Sequence, residues 1–424
     1  MSENLPATVG RRTRLHHVGL RLRLFLAILG PGIITANVDN DAGGIATYSQ
    51  AGARYGLSTL WIFAPLCLAL VVVQEMSNRM GVVTGKGLSD LIRERFGAKA
   101  TFYLLIGLLL TNFGNILAEF AGVAAAGEIF GISRYISVPL AAFFVWAVVL
   151  RANYRTVEKV FLTACVFYIS YVVAGVMSHP SSHEVLRALA VPQWRNESAY
   201  LIMLVGLVGT TIAPWMQFYQ QASVVEKNVR VEDYAYSRID TIVGCIVVTV
   251  VAVFIVVVCS THLHAHHITI DTASDAARGL APLAGRYAAG LFAFGLFNAS
   301  IFAASILPLS TSYTICEGLG WESGLNKGFA EAREFYFLYT ALIVLGAGLI
   351  LIPHISLLGI MYVSQVVNGV LLPVVLVFML LLINDARIMG RHVNSLLYNV
   401  VCGALGLVLT LLTLASGALA VWAH

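Results

Sequence analysis

The chain has 424 residues, 58% of them hydrophobic and 11% charged, with a mean hydropathy of +0.82. A soluble domain carries about 25% charged residues, so a water-soluble enzyme or binding module is excluded and most of the surface must face lipid. The net charge of +4 is small, and the basic residues sit in loops rather than in a patch suited to nucleic acid.

Residues 1–23 are polar and basic and form the expected cytoplasmic tail. The apolar run that follows, Leu24 to Val38, has no small-residue cleavage site after it, so no cleavable signal peptide is expected. A spanning helix needs about 20 apolar residues. Runs of this kind lie near 24–54, 57–78, 101–130, 134–151, 157–177, 199–225, 235–260, 283–311, 335–353, 355–383 and 394–422, eleven in all. With the N-terminus inside, every Lys and Arg falls on the cytoplasmic side except Arg54, Arg134, Arg187, Arg195, Arg278 and Arg286. That asymmetry is what the positive-inside rule demands, and the odd number of spans places His424 outside. The six cysteines (Cys67, Cys165, Cys245, Cys259, Cys316, Cys402) lie in or beside apolar runs with no metal-ligand spacing, and read as small buried hydrophobes.

The first and sixth spans are interrupted in their middles. One contains Asp39-Asn40-Asp41-Ala42-Gly43-Gly44, the other Thr210-Thr211-Ile212-Ala213-Pro214-Trp215. Backbone groups freed at membrane depth cost several kcal/mol each unless protein or a water-filled cavity satisfies them. Interruptions at corresponding places in two halves point to a transporter built from inverted repeats, with its site at the midplane. The repeats would be 24–177 and 199–383, with 394–422 appended. The fold class expected is therefore all-α integral membrane, a 5+5 inverted repeat with 11 transmembrane helices, helices 1 and 6 broken.

An acidic side chain at bilayer depth costs at least about 2.5–3.5 kcal/mol and is functional by default. Asp41 stands beside the first interruption, where Gly43 and Gly44 allow close backbone approach. A carboxylate next to unpaired carbonyls suits a hard cation bound through oxygen. Asp39 either lines the pore or pairs elsewhere. Glu119 reads as a vestibule charge, a proton carrier, or a carboxylate bonded to a broken helix end. Glu75, near the cytoplasmic end of its span, reads as structural. Gln365 and Asn368 share one helix face and either offer amide oxygens to the site or bond helix to helix. The tract His262-Leu263-His264-Ala265-His266-His267, with no matching acids, reads as a solvated loop before a metal-gathering one. An intramembrane aspartyl enzyme using Asp39 and Asp41 is disfavoured, because carboxylates two residues apart do not converge easily.

Several stretches resemble the NRAMP family of divalent-metal transporters, which share the LeuT-type inverted repeat. Gly30-Pro31-Gly32 followed by Asp41-Ala42-Gly43-Gly44-Ile45-Ala46-Thr47-Tyr48-Ser49-Gln50-Ala51-Gly52-Ala53 resembles the family's GPG…DPGNxATDxQAGA pattern. Arg79-Met80-Gly81-Val82-Val83-Thr84-Gly85-Lys86 resembles its RLGVVTGK stretch. Ala118-Glu119 and Ser364-Gln365-Val366-Val367 also fit. The resemblance implies a metal site at Asp41, the backbone carbonyl of Thr210, and the positions now held by Gly44 and Ala213.

The departures bear on which ion is carried. Gly44 stands where the family has a metal-binding asparagine. Ala213-Pro214-Trp215 stands in the frame of its MPH motif, whose methionine sulfur touches the metal. Ile116 replaces a helix 3 aspartate linked to proton transfer. Thioether favours softer transition metals, whereas Mg2+ keeps several waters and is held by one or two carboxylates. The pattern is similar to the NRAMP-related magnesium transporters, in which an alanine replaces that methionine. Import of hard divalent cations, Mg2+ and also Mn2+, without proton coupling is expected. A proton-coupled Mn2+/Fe2+ transporter with altered ligands is the alternative, and a sodium-coupled solute carrier of the same fold is argued against by the aspartates. Met216 could return a sulfur to the site; Met203 should pack away from it. No cofactor is expected, and the partners are the ion and the bilayer. A monomer in a bacterial inner membrane follows from the resemblance.

Overall fold

The computed structural model describes residues 31–151, 172–173, 176–177, 180–268, 270 and 288–422. All regular structure among them is helical. The tail at 1–23, the start of the first span, the fifth span at 157–177 apart from four residues, and Gly30, Arg155, Lys159, Cys165, Arg278, Arg286 and His424 lie outside the described residues.

The first span is two helices, α1 (Pro31–Val38) and α2 (Ala42–Tyr55). Near the start of α1 the Gly32 N–H donates to Asp240 Oδ2 at 2.7 Å. The helix closes in a tight turn, with Asp39 N donating to Ala36 O at 3.2 Å. A 3-10 connector, Gly56–Ile62, leads to α3 (Phe63–Thr84). This helix runs further than the expected 57–78 because its polar groups are satisfied within protein. Glu75 accepts a hydrogen bond from the Tyr234 hydroxyl and pairs with Arg79 at 3.3 Å, a structural role. Next is α4 (Leu88–Ile129), longer than the expected 101–130. The stretch Leu88–Phe96, read as loop, is helical and joins the rest at Gly97, whose φ of +83° suits glycine.

α5 (Arg134–Arg151) and the short α6 (Ser182–Ala190) follow. The sixth span is again two helices, α7 (Ser198–Thr211) and α8 (Pro214–Glu226). The second half continues with α9 (Tyr234–His262), α10 (Ala288–Leu319), α11 (Arg333–Ile350), α12 (Leu357–Ile383), α13 (Ala386–Met389) and α14 (Leu396–Trp422). Among the described residues, eight helical stretches are long and apolar enough to cross a membrane.

The split helices form the centre. In the most apolar stretch of Ser198–Glu226, 89% of residues are buried, against 17% for Leu396–Ser416, so the sixth span is core and the last is peripheral. Helices approach most closely at glycine, as packing without a hydrophobic drive between helices requires. A Cβ on Gly209 would stand 2.1 Å from Gln365 O, so α7 and α12 touch backbone to backbone. A Cβ on Gly244 would stand 2.7 Å from Gly32 O, which brings α9 onto α1 in the same way.

Outside the membrane segments, Asp385 meets Arg387 at 2.8 Å and Arg95 at 3.0 Å. Hydrogen bonds from the Arg387 side chain and backbone hold its carboxyl well below the usual range. Among the described cysteines, Cys67, Cys245, Cys259, Cys316 and Cys402 are free thiols. In the histidine tract, His264 Nδ1 lies 2.9 Å from Ala53 O at the end of α2, and His266 Nδ1 lies 2.9 Å from His262 O. Two of its rings thus sit against carbonyls at helix ends.

Candidate metal site

Helix interruptions hold the site because their ends need partners. Asp41 has an extended backbone (φ −70°, ψ −174°) and is the N-cap of α2, its Oδ1 accepting from Gly44 N at 2.6 Å. Glu119, reaching across from α4, accepts from Ala42 N at 3.2 Å through Oε2. Two carboxylates thus share the positive end of one helix. Of the readings open for Glu119, bonding to the broken helix end is the one observed for Oε2, while Oε1 is buried without a partner.

Asp39 is buried with both carboxylate oxygens unbonded. Asp39, Asp41 and Glu119 are 2%, 3% and 0% exposed, and no described Lys, Arg or His pairs with any of them. Burying a lone charged carboxylate is strongly unfavourable, so each of these groups is neutralised either by a proton or by a cation. Among the described residues no three His, Cys, Asp or Glu side chains form a ligand cluster. Neutral oxygens must therefore complete any coordination shell.

Gly44 is where such oxygens converge. A Cβ there would stand 2.5 Å from the Asp39 carbonyl oxygen, 3.2 Å from Thr210 Oγ1 and 3.4 Å from Asp41 Oδ1. On the other side of the turn, a Cβ on Gly43 would fall 1.9 Å from Gln365 Nε2, so the Gln365 amide seats directly on the α2 backbone. The structure thus brings the Asp39 carbonyl, Asp41, Gly44, Thr210 and Gln365 to the turn at the start of α2, with Glu119 bonded to the Ala42 N–H. Asn368 is a turn further along, exchanging 3.0 Å hydrogen bonds with Asn115 and donating to Gln365 Oε1 at 2.9 Å. Its side chain bonds helix to helix.

At the second interruption Ala213 is the N-cap residue of α8, 2% exposed, with Pro214 as the first helical residue. Pro214 has no N–H to offer the Thr210 carbonyl, which leaves that carbonyl without its usual partner one turn on. Met216 is fully buried and its N–H donates to Ala213 O at 3.1 Å; Met203 is buried in the core. Ile116 packs on α11, its Cγ2 2.7 Å from the Cβ position of Gly346. It supplies no ionisable group there.

Three polar residues escaped sequence reasoning. The Tyr48 hydroxyl lies 2.9 Å from Thr211 Oγ1, where the resembled pattern has an aspartate. Asn115 pairs with Asn368. Asp240, an acid inside an apolar run, carried the same burial-cost signal as Asp41 and proves to cap α1.

A protein-family model described as natural resistance-associated macrophage protein-like matches residues 32–418. A relative from Ralstonia nicotianae, the divalent metal cation transporter MntH, is 31% identical over 411 residues, covering 92% of this chain and 90% of its own. The protein of the same name from Chromohalobacter salexigens is 26% identical over 383 residues, covering 87% and 85%. Among solved structures, a manganese transporter from Eremococcus coleocola superposes with a TM-score of 0.77 at 21% identity, covering 92% of this chain and 86% of that one. A nucleobase-cation-symport-1 transporter in a closed conformation superposes at 0.58 with 14% identity, covering 93% and 91%. These likenesses show the LeuT-type fold, with its first and sixth helices broken. With nearly the whole length matched by the family model, the chain belongs to the NRAMP family.

Proposed function

We propose that this protein imports hard divalent cations, Mg2+ foremost and Mn2+ next, across a bacterial inner membrane without moving a proton. The observation that carries the reading is the set of buried carboxylates Asp39, Asp41 and Glu119 beside two helix breaks, with no described basic partner. Transport of a divalent metal fits the family and the names of the relatives. The finer choice of ion rests on what surrounds the carboxylates. Ala213 places a methyl group, not a thioether, at the second break, and Gly44 brings no side-chain oxygen of its own. Asp41 is the direct ligand in this reading. The Thr210 carbonyl contributes a neutral oxygen, Gln365, whose Oε1 accepts from Asn368, lines the site through its Nε2, and Asp39 and Glu119 balance charge. Asn368 acts through Gln365. Residues 24–177 and 199–383 are the repeats that rock about the site, 394–422 is peripheral, and a single copy suffices. The chain enters the membrane with its N-terminus cytoplasmic and its C-terminus outside.

A second reading, proton-coupled Mn2+/Fe2+ transport, is favoured by the buried unbonded Oε1 of Glu119. The deciding experiment is uptake into proteoliposomes with Mg2+ and Mn2+ offered separately and a pH dye inside. Mg2+ entry without acidification is the expected result. Mn2+ entry with acidification and no Mg2+ entry would overturn it in favour of the second reading.

A further inference from the structure

We infer that the cleft where the start of α4 meets the ends of α12 and α14, around Arg95, Asp385 and Arg387, binds the headgroup of an anionic phospholipid. The inference does not depend on which ion is carried. In the proposed orientation the cleft lies at the cytoplasmic leaflet. One carboxylate there holds two guanidinium groups side by side. Asp385 Oδ1 accepts from Arg387 N and Nε, each at 3.0 Å, and Oδ2 accepts from Arg387 Nη2 at 2.8 Å. Arg95 Nε pairs with the same Oδ2 at 3.0 Å. The Asp385 side chain is 9% exposed, whereas those of Arg95 and Arg387 are 45% and 76% exposed. Two cations over one anion leave a surplus of positive charge. Among the described residues neither arginine has a second hydrogen-bonded or ion-paired partner. The Arg95 Nη groups and Arg387 Nη1 are therefore left for an external anion, and a planar guanidinium fork matches the oxygens of a phosphate.

The surroundings select a lipid as the source of that phosphate. The cleft has a volume of about 590 Å³ and is lined by these charged groups together with Leu381, Asn384 and Asn399. Asn384 and Asn399 exchange amide hydrogen bonds at 2.9 and 3.0 Å, which fixes the end of α12 against α14. Leu381 closes an exposed apolar stripe along α12 made of Val363, Val367, Val370, Val374, Val377 and Leu381. Steps of three and four residues keep the stripe on one helix face. Acyl chains lying along it would bring a headgroup to the two arginines. Charge selects an anionic headgroup over a zwitterionic one. Both Asp385 oxygens are already taken by arginine, so an ammonium group finds no carboxylate in the cleft, while the surplus cation attracts an anionic lipid. Phe96 packs edge-on against Phe378 with ring centroids 5.1 Å apart, which seats Arg95 beside α12. A bound lipid thus ties together the helices that carry Glu119 and Gln365.

The test is a thermal-shift titration of the purified full chain in neutral detergent with three probes: phosphatidylglycerol, phosphatidylcholine, and glycerol phosphate as a headgroup without chains. Phosphatidylglycerol should raise Tm saturably, and the other two should leave it unchanged. Arg387→Gln should raise the phosphatidylglycerol concentration needed for half the shift by about tenfold, and Arg387→Lys by less, because charge without the fork keeps part of the binding. Arg333→Gln, which removes an exposed cation elsewhere, should stay within about twofold of the parent. Equal stabilisation by phosphatidylcholine would overturn the anionic headgroup, and equal stabilisation by glycerol phosphate would overturn the lipid. An unchanged titration in Arg387→Gln, or an equal loss in Arg333→Gln, would overturn the site itself. Should Arg387→Gln not fold, Arg95→Gln carries the same comparison.

Discussion

Asp41 does two jobs that ordinary alanine substitution would confound. Its Oδ1 caps α2 through Gly44 N, and in the proposed function its charge meets the ion. Loss of an N-cap costs about 0.5–2 kcal/mol, so Asp41→Ala should both destabilise the protein and abolish uptake. Asparagine caps as well as aspartate but carries no charge. Asp41→Asn should therefore keep the thermal midpoint near that of the parent while uptake falls at least about a hundredfold, equivalent to roughly 2.7 kcal/mol of lost ion binding. Near-normal transport in that variant would remove the carboxylate from the mechanism. At the second break, Ala213→Met restores a soft donor. It should shift the ratio of Mn2+ or Cd2+ to Mg2+ affinity by about tenfold toward the softer ions, read by competition uptake. An unchanged ratio would mean residue 213 does not face the ion. Asp41, Glu119 and Gln365 were legible because polar groups at membrane depth are costly and therefore few. The direction of the Thr210 hydroxyl and the place of Tyr48 were not, because both depend on how two half-helices meet in space.

Single side chains act here through the helices that carry them. Asn368 is spoken for by Asn115 on α4 and by Gln365 on its own helix. This small amide network ties α4 to α12 and fixes the Gln365 amide over Gly43. Interhelical hydrogen bonds in membranes contribute about 0.6 kcal/mol on average and up to about 1.7. Asn115→Leu should lower the thermal midpoint by a few degrees, with the KM for Mg2+ rising only about twofold, because Asn115 orients Gln365, which lines the site, and is not a ligand itself. A loss of uptake as deep as that of Asp41→Asn would instead place this pair at the ion. The two interruptions were legible from Gly, Pro and acidic residues inside apolar runs, and they fall at Asp39–Asp41 and Ile212–Ala213. Helix ends were less legible. Hydropathy stops at the first polar cluster, whereas α3 continues through Glu75 and Arg79 because Tyr234 and each other satisfy them. The helical stretch Leu88–Phe96 was hidden for the same reason, being a charged helix outside the apolar run.

At the scale of the whole molecule the question is what drives the ion inward. Ile116 packs against α11 where the family pattern has an acid, and Trp215 fills the histidine position of the resembled motif, its carbonyl accepting from Ser310 Oγ at 3.2 Å. Neither can pass a proton between site and solvent. Glu119 remains, but its Oε2 is committed to the α2 backbone. A divalent ion needs no proton if the membrane potential acts on it. At about 2.3 kcal/mol per charge per 100 mV, a 2+ ion gains about 4.6 kcal/mol on moving inward, enough for more than a thousandfold accumulation. In liposomes clamped by a potassium gradient and ionophore, Mg2+ uptake should grow with an inside-negative potential and vary little between pH 6 and 8. Lumenal pH should stay flat throughout. Replacing Glu119 by Gln separates the two drives, since a charge-balancing carboxylate and a proton carrier predict different losses. Under the uncoupled reading Glu119→Gln weakens Mg2+ binding yet leaves the voltage dependence intact. If the parent acidifies the lumen during uptake and Glu119→Gln stops that acidification, the proton is part of the cycle and the loss of the two other groups is compensated at Glu119.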